Sequence, residues 1–129
     1  MNLSILPGRY AVSQLPANAA LPAGCLDDPF ASVTRTQEEL SLVVPETQIQ
    51  PSWTTETGWR IIQVAGPLDF SLVGILANLA ATLAEAGVSI YALSTYNTDY
   101  ILVKESDLDQ ARQALTRAGH TILKGEHHP

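Results

Sequence analysis

The stretch GPLDFSLVGILANLAATLAEAGVSIYALSTYNTDYILV, residues 66–103, decides the fold because its hydrophobic period changes part-way along it. Its apolar residues first recur every three or four positions, which is the spacing of one buried helical face. Asp69 or Ser71 can cap the start of this predicted helix, and Gly87 ends it. The apolar positions are Leu72, Ile75, Leu76, Leu79, Leu83 and Ala86.

After the helix the pattern becomes that of β-structure. Residues 88–96 and 99–104 are rich in β-branched and aromatic side chains, and only Asn97-Thr98 separates them. Two such runs joined by so short a link predict a β-hairpin. A similar apolar run over 59–65 predicts a strand before the helix.

A second helix is predicted downstream, with Leu108, Ala111, Leu115 and Ala118 on its apolar face. Ser106 and Asp109 have the spacing of a capping box, and residues 120–124 have the composition of a closing strand. The order βαββαβ predicts an α+β, ferredoxin-like C-terminal half, in which an antiparallel sheet carries two helices on one face.

The N-terminal half is predicted to be rich in short strands, over residues 3–6, 10–15, 30–36 and 40–46. The following segment, 47–58, is polar and broken by Pro51, which is typical of an exposed connection. The predicted division is an N-terminal half over 1–50, a linker over 51–58, a C-terminal domain over 59–125 and a tail over 126–129.

Composition excludes several functional classes. The 129 residues carry a net charge of −6 with only seven scattered Lys and Arg, so neither nucleic acid nor an anionic membrane is an expected partner. A single cysteine excludes an internal disulfide, and no apolar run reaches the roughly 18–20 residues of a membrane span. We therefore expect a soluble, cytoplasmic protein.

Catalytic chemistry is not indicated. The sequence lacks Gly-x-Ser-x-Gly, a phosphate-binding loop with lysine and Gly-x-Gly-x-x-Gly. Adjacent His127 and His128 near the end of the chain do not have the spacing of a metal site. No catalytic residue, metal or cofactor is expected, and the protein is predicted not to be an enzyme.

The first helix has an outer face with almost no charge. Between Ser71 and Ala86 its only charged residue is Glu85. A helix that covers a sheet normally exposes a charged face to water. The small outer residues therefore predict a homodimer, or docking of the helix onto the N-terminal half.

The segment 66–103 resembles the ACT-domain family, particularly small bacterial ACT-like proteins related to the eukaryotic cytosolic arginine sensors and to the regulatory region of aspartate kinase. The likeness rests on Gly-Pro-Leu-Asp-Phe (66–70), Gly74-Ile75, Ala-Glu-Ala-Gly (84–87), and Ser94-Thr95-Tyr96 through Asp99. Residues 30–46 resemble the N-terminal half of the same two-part unit.

The resemblance implies ACT-like folds paired side by side, with an amino acid held at the seam. The unpaired N–H groups and positive dipole at a helix start suit a ligand carboxylate. A ligand ammonium needs a carboxylate, for which Asp99 is the candidate, and partner backbone near 88–90 would close the site. The predicted ligand-binding residues are Leu68, Asp69, Phe70, Ser71, Leu72, Val88, Ser89, Ile90, Thr95, Tyr96 and Asp99.

Two alternatives stay open. Asp99 can instead stabilise only its own turn, because aspartate is common in turns. The whole module can instead serve assembly or partner binding without any ligand.

The arginine-sensing members of the family are expected to have an acid early in the first helix, whereas this sequence has Ser71-Leu72, so the resemblance does not carry arginine specificity. Any output requires a partner, such as a metabolic enzyme or regulator.

Overall fold

A computed structural model describes residues 1–65 and 74–123. Eight strands lie in this part of the chain: β1 Asn2–Ile5, β2 Tyr10–Leu15, β3 Ser32–Arg35, β4 Leu40–Pro45, β5 Thr54–Val64, β6 Tyr91–Ser94, β7 Asp99–Lys104 and β8 Thr121–Ile122. The helices are α1 Ile75–Glu85 and α2 Leu108–Arg117, with short 3₁₀ helices at Glu46–Gln48 and Glu105–Asp107. The chain forms two compact units, an N-terminal unit of Gly8–Trp59 and a C-terminal unit of Met1–Pro7 with Arg60–Pro129.

The C-terminal unit has the predicted order of strand, helix, two strands, helix and strand, so the ferredoxin-like α+β prediction is confirmed. Its sheet has the strand order β8-β1-β5-β7-β6. The additional strand β1 pairs antiparallel with β5 and parallel with β8. The sequence predicted an antiparallel sheet, and the observed sheet contains one parallel pair. The parallel pair arises because β1 lies between β5 and β8, the first and last strands of the motif.

The division of the chain also differs from the predicted one at both ends of the N-terminal half. Met1–Pro7 belongs to the C-terminal unit, because Leu3 and Ile5 are buried in its core and their strand pairs with β5. The predicted linker is shorter, because β5 already begins at Thr54 and pairs there with β2.

One hydrophobic core joins both helices to one face of the C-terminal sheet. Alternate residues of β1, β5 and β7 meet the apolar faces of α1 and α2, as the two sequence periods predict. The fully buried members include Leu3, Val64, Leu79, Leu83, Val103 and Ala111.

The predicted caps at the starts of α1 and α2 have different outcomes. For α1, the proposed caps Asp69 and Ser71 lie outside the described residues, and the helix is described from Ile75. For α2, the capping box is wrong: a 3₁₀ turn leads into the helix, and Asp107 is the N-cap without a side-chain hydrogen bond. The predicted end of α1 is confirmed, since Gly87 adopts a φ of 77° and its N–H donates to the carbonyl of Ala84 at 3.0 Å.

The N-terminal unit is a sheet in the order β3-β4-β2-β5, and the predicted β3–β4 hairpin is confirmed. The register of β2 on β5 shifts between Tyr10 and Val12, which pair with Trp59 and Glu56. Gly58 lies at this bulge with a φ of 82°, a conformation that favours glycine. Its N–H donates to Oε2 of Glu46 at 2.6 Å, so the bulge leaves this donor satisfied.

Candidate functional site

The β6–β7 hairpin carries three of the predicted site residues. Ser94 and Asp99 are directly opposite each other, and residues 95–98 form the connection between them. The N–H of Thr95 donates to the carbonyl of Thr98 at 2.9 Å, and the Thr95 hydroxyl donates to the same oxygen at 3.2 Å. The turn is therefore closed by Thr95 and Thr98.

Thr98 ties this turn to the end of β5. Its side chain is only 4% exposed, and its hydroxyl donates to the carbonyl of Val64 at 2.7 Å. A buried hydroxyl that has a partner costs little, whereas a buried carbonyl without one is costly. This bond places Asp99, the next residue, beside the point where β5 ends at Val64.

Asp99 is half-buried, and one of its two carboxylate oxygens accepts a hydrogen bond within the described residues. The Ser94 hydroxyl donates to Oδ1 of Asp99 at 2.6 Å. Within residues 1–65 and 74–123, nothing donates a hydrogen bond to Oδ2. The turn is also closed by Thr95 and Thr98, and the second carboxylate oxygen of Asp99 can accept from an ammonium group.

Thr95 and Tyr96 lie on the exposed side of the hairpin. The side chain of Tyr96 is 80% exposed, which is unusual for a large aromatic residue, and Thr95 is also exposed. The hairpin thus brings Thr95, Tyr96 and Asp99 together within five residues at one end of the C-terminal sheet.

Residues 88–90 connect α1 to β6, and their side chains differ in role. Val88 is buried and Ile90 packs against the core, so these two side chains belong to the interior. Ser89 is exposed. Only the backbone and Ser89 are therefore available to a ligand in this segment.

The other predicted site residues, Leu68, Asp69, Phe70, Ser71 and Leu72, lie outside the described residues. The described part of the chain before them stops at Ala65, one residue after Val64, to which Thr98 bonds.

Ser94 and Thr98 were not among the predicted site residues, although both form hydrogen bonds that fix parts of the hairpin. Both are hydroxyl side chains beside predicted site residues, and each makes a specific bond. A possible signal was the concentration of hydroxyl residues in Ser94-Thr95-Tyr96-Asn97-Thr98, but the partners of these hydroxyls depend on strand register.

His120, away from the hairpin in the sequence, makes two polar contacts in the C-terminal unit. Its Nε2 lies 3.3 Å from Oδ1 of Asn78 on α1, and its Nδ1 lies 3.2 Å from the N-terminal amine. Burial lowers the pKa of His120, and the nearby positive amine lowers it further. These two contacts are consistent with a neutral ring that donates through Nε2 and accepts through Nδ1.

Neither helix in the described ranges is long and apolar enough to cross a membrane. Within the same ranges, no three His, Cys, Asp or Glu residues are grouped as a metal site would require. Cys25 is buried in the N-terminal unit, where it packs with Leu15 and Leu42.

Comparison with known families agrees with this architecture. A model of the ACT domain matches residues 54–117, from the start of β5 to the end of α2. The chain belongs to the ACT-domain family. A second family model, which describes an N-terminal domain, matches residues 8–52, almost all of the N-terminal unit.

Two relatives and one protein of similar fold differ in how much they share with this ACT chain. The bovine cytosolic arginine sensor for mTORC1, subunit 1, is 35% identical over 99 residues, which is 68% of this chain but only 30% of the sensor. A crystallised protein of Agrobacterium tumefaciens is 34% identical, with a TM-score of 0.91 over 99% of this chain and 96% of its own. The ligand-free regulatory subunit of aspartate kinase from Thermus thermophilus shares the fold, with a TM-score of 0.64, 11% identity and coverage of 91% and 96% of the two chains.

Proposed function

We propose that this protein is a non-catalytic regulatory module that binds an amino acid at an interface between paired ACT domains. The observation that carries the proposal is the Asp99 carboxylate, which is half-buried and has only one oxygen bonded among the described residues. It lies beside the end of β5, from which the predicted carboxylate-binding segment 68–72 continues.

In this proposal the two charges of the ligand are bound by different elements. The ligand ammonium pairs with Oδ2 of Asp99, and the ligand carboxylate accepts from N–H groups of the segment 68–72. Thr95 and Tyr96 cover the ligand from the hairpin. The backbone of 88–90 and exposed Ser89, supplied by a paired domain, close the remaining side.

The pairing itself is proposed to use the outer face of α1 in a homodimer. Gly74, Ala77, Asn78 and Ala81 are exposed on this helix, and Glu85 is its only charged residue. Small residues allow a second helix to approach closely, and the absence of charge removes a desolvation cost. The same face supports the alternative proposal, a ligand-free module for assembly or partner binding.

The sensor relative is named for arginine, and its name is the reason to test amino acids first. We propose that the ligand here is an amino acid, and arginine specificity is not carried over, because Ser71 and Leu72 stand where an acid for the guanidinium is expected. The output would pass to a metabolic enzyme or regulator that recognises the liganded form.

A thermal-shift screen of the twenty amino acids tests the proposed function. A ligand that binds only the folded protein stabilises it by RT ln(1 + [L]/Kd), about 2.7 kcal/mol at a hundredfold excess over Kd. We expect at least one amino acid to raise the melting temperature in a concentration-dependent way. If none of the twenty at about 10 mM, roughly a ten-thousandfold excess over a Kd of about 1 μM, changes the melting temperature, the assembly alternative is favoured.

A further inference from the structure

The hydrogen bond between Ser94 and Asp99 is shorter than the other side-chain bonds of the hairpin. The Ser94 hydroxyl lies 2.6 Å from Oδ1 of Asp99, compared with 2.7 Å and 3.2 Å for the hydroxyl bonds of Thr98 and Thr95. Bonds from a hydroxyl to an ionised carboxylate are short, at about 2.5–2.7 Å. The distance between Ser94 and Asp99 falls within this range.

Other bonds also close and anchor the turn that Ser94 and Asp99 flank. The turn is closed by Thr95 and Thr98, and its buried anchor is the bond from Thr98 to Val64. Ser94 is exposed, so its hydroxyl would be satisfied by water without Asp99. What the bond does change is the freedom of the Asp99 side chain, since it fixes one carboxylate oxygen.

The partners also lie at a fixed register. Ser94 is the last residue of β6 and Asp99 the first of β7, and the two are directly opposite. Side chains of directly opposite residues lie on the same face of a sheet. A short side chain on one strand can thus orient an acid on the other without any contact to a ligand.

We propose that Ser94 is a positioning residue, which holds Asp99 in the rotamer that presents Oδ2 to a ligand ammonium. This inference rests on the proposed function and extends it to a residue that does not contact the ligand. A carboxylate that is already ordered loses less side-chain entropy when the ligand binds.

The test is a double-mutant cycle by calorimetric titration with the amino acid that gives the largest thermal shift. Ser94→Ala should weaken its binding about three- to tenfold, the range of one net hydrogen bond. Ser94→Thr keeps a hydroxyl at the same place and should restore most of the affinity. In the Asp99→Asn background, Ser94→Ala should have little further effect, because the carboxylate that it orients is gone.

The melting temperature of the unliganded Ser94→Ala protein should stay within about 1 °C of wild type, as for an exposed surface change. A loss of affinity that is equally large in the Asp99→Asn background, or an unchanged affinity of Ser94→Ala, would overturn this proposal alone. If the wild type binds none of the twenty amino acids, the proposed function fails, and the role of Ser94 fails with it.

Discussion

The anchor of the hairpin offers a quantitative test of how the site is built. Thr98→Val keeps the shape of the side chain and removes the hydroxyl that donates to the Val64 carbonyl at 2.7 Å. Because Thr98 is 4% exposed, water cannot readily replace the lost donor. A buried carbonyl left without its partner costs about 1–3 kcal/mol, so we expect the free energy of unfolding to fall by that amount.

Urea unfolding followed by circular dichroism measures this loss. With an m value of about 2 kcal/mol/M, the midpoint should fall by about 0.5–1.5 M. Thr95→Val is the matched control in the same turn, because the Thr95 hydroxyl is more exposed and its bond to Thr98 is longer, at 3.2 Å. A Thr98→Val midpoint equal to that of wild type, or an equal loss in Thr95→Val, would refute the idea that Thr98 anchors the hairpin.

Two further predictions concern α1 and the residue that contacts it. Ala81→Glu places a charge on the exposed small-residue face of α1 and should shift the protein toward monomer in sedimentation at tens of micromolar. The control Asp109→Ala on α2 should leave the sedimentation unchanged. A wild-type protein that already sediments as a monomer would rule out the dimer. The folded-state pKa of His120 is lowered, so protonation of His120 favours unfolding. The stability that the neutral His120 ring contributes should be complete above the unfolded pKa of about 6.5 and should be lost as the pH falls through the folded pKa. His120→Gln should flatten the pH dependence of the urea midpoint in this range, and an identical profile in both proteins would exclude His120 as its source.

Much of the C-terminal fold follows from local pattern. The apolar spacing of α1, the β6–β7 hairpin and Gly87 after α1 depend on residues close together in the sequence, and these three predictions were confirmed. The link of the hairpin is longer than predicted, because β6 ends at Ser94 and residues 95–98 form the connection. The pairing of β1 with β5 and β8 could not be predicted in this way, because it joins residues about sixty or more positions apart and depends on no local signal.

The candidate site shows the same division between local and non-local information. The assignment of Asp99 to the site comes from the family resemblance of 66–103 and stays a prediction, whereas the bond from Ser94 depends on the register of two strands. The bond from Thr98 to Val64 spans 34 positions and depends on the placement of the hairpin against β5. The failure of the predicted α2 cap has a local cause, since the 3₁₀ turn Glu105–Asp107 moves the helix start beyond Ser106.

The most direct measurement of the central proposal is calorimetric titration of the best-bound amino acid into wild type and Asp99→Asn. Asparagine keeps the size of the side chain, and its one amide oxygen can still accept from Ser94, so the substitution removes the charge and the second acceptor oxygen. If Asp99 binds the ligand ammonium, the loss of a charge-assisted bond of about 1.5–3 kcal/mol should weaken binding roughly ten- to a hundredfold while the unliganded melting temperature stays close to that of wild type. Equal affinities of the two proteins would contradict the assignment of Asp99 to the ligand site.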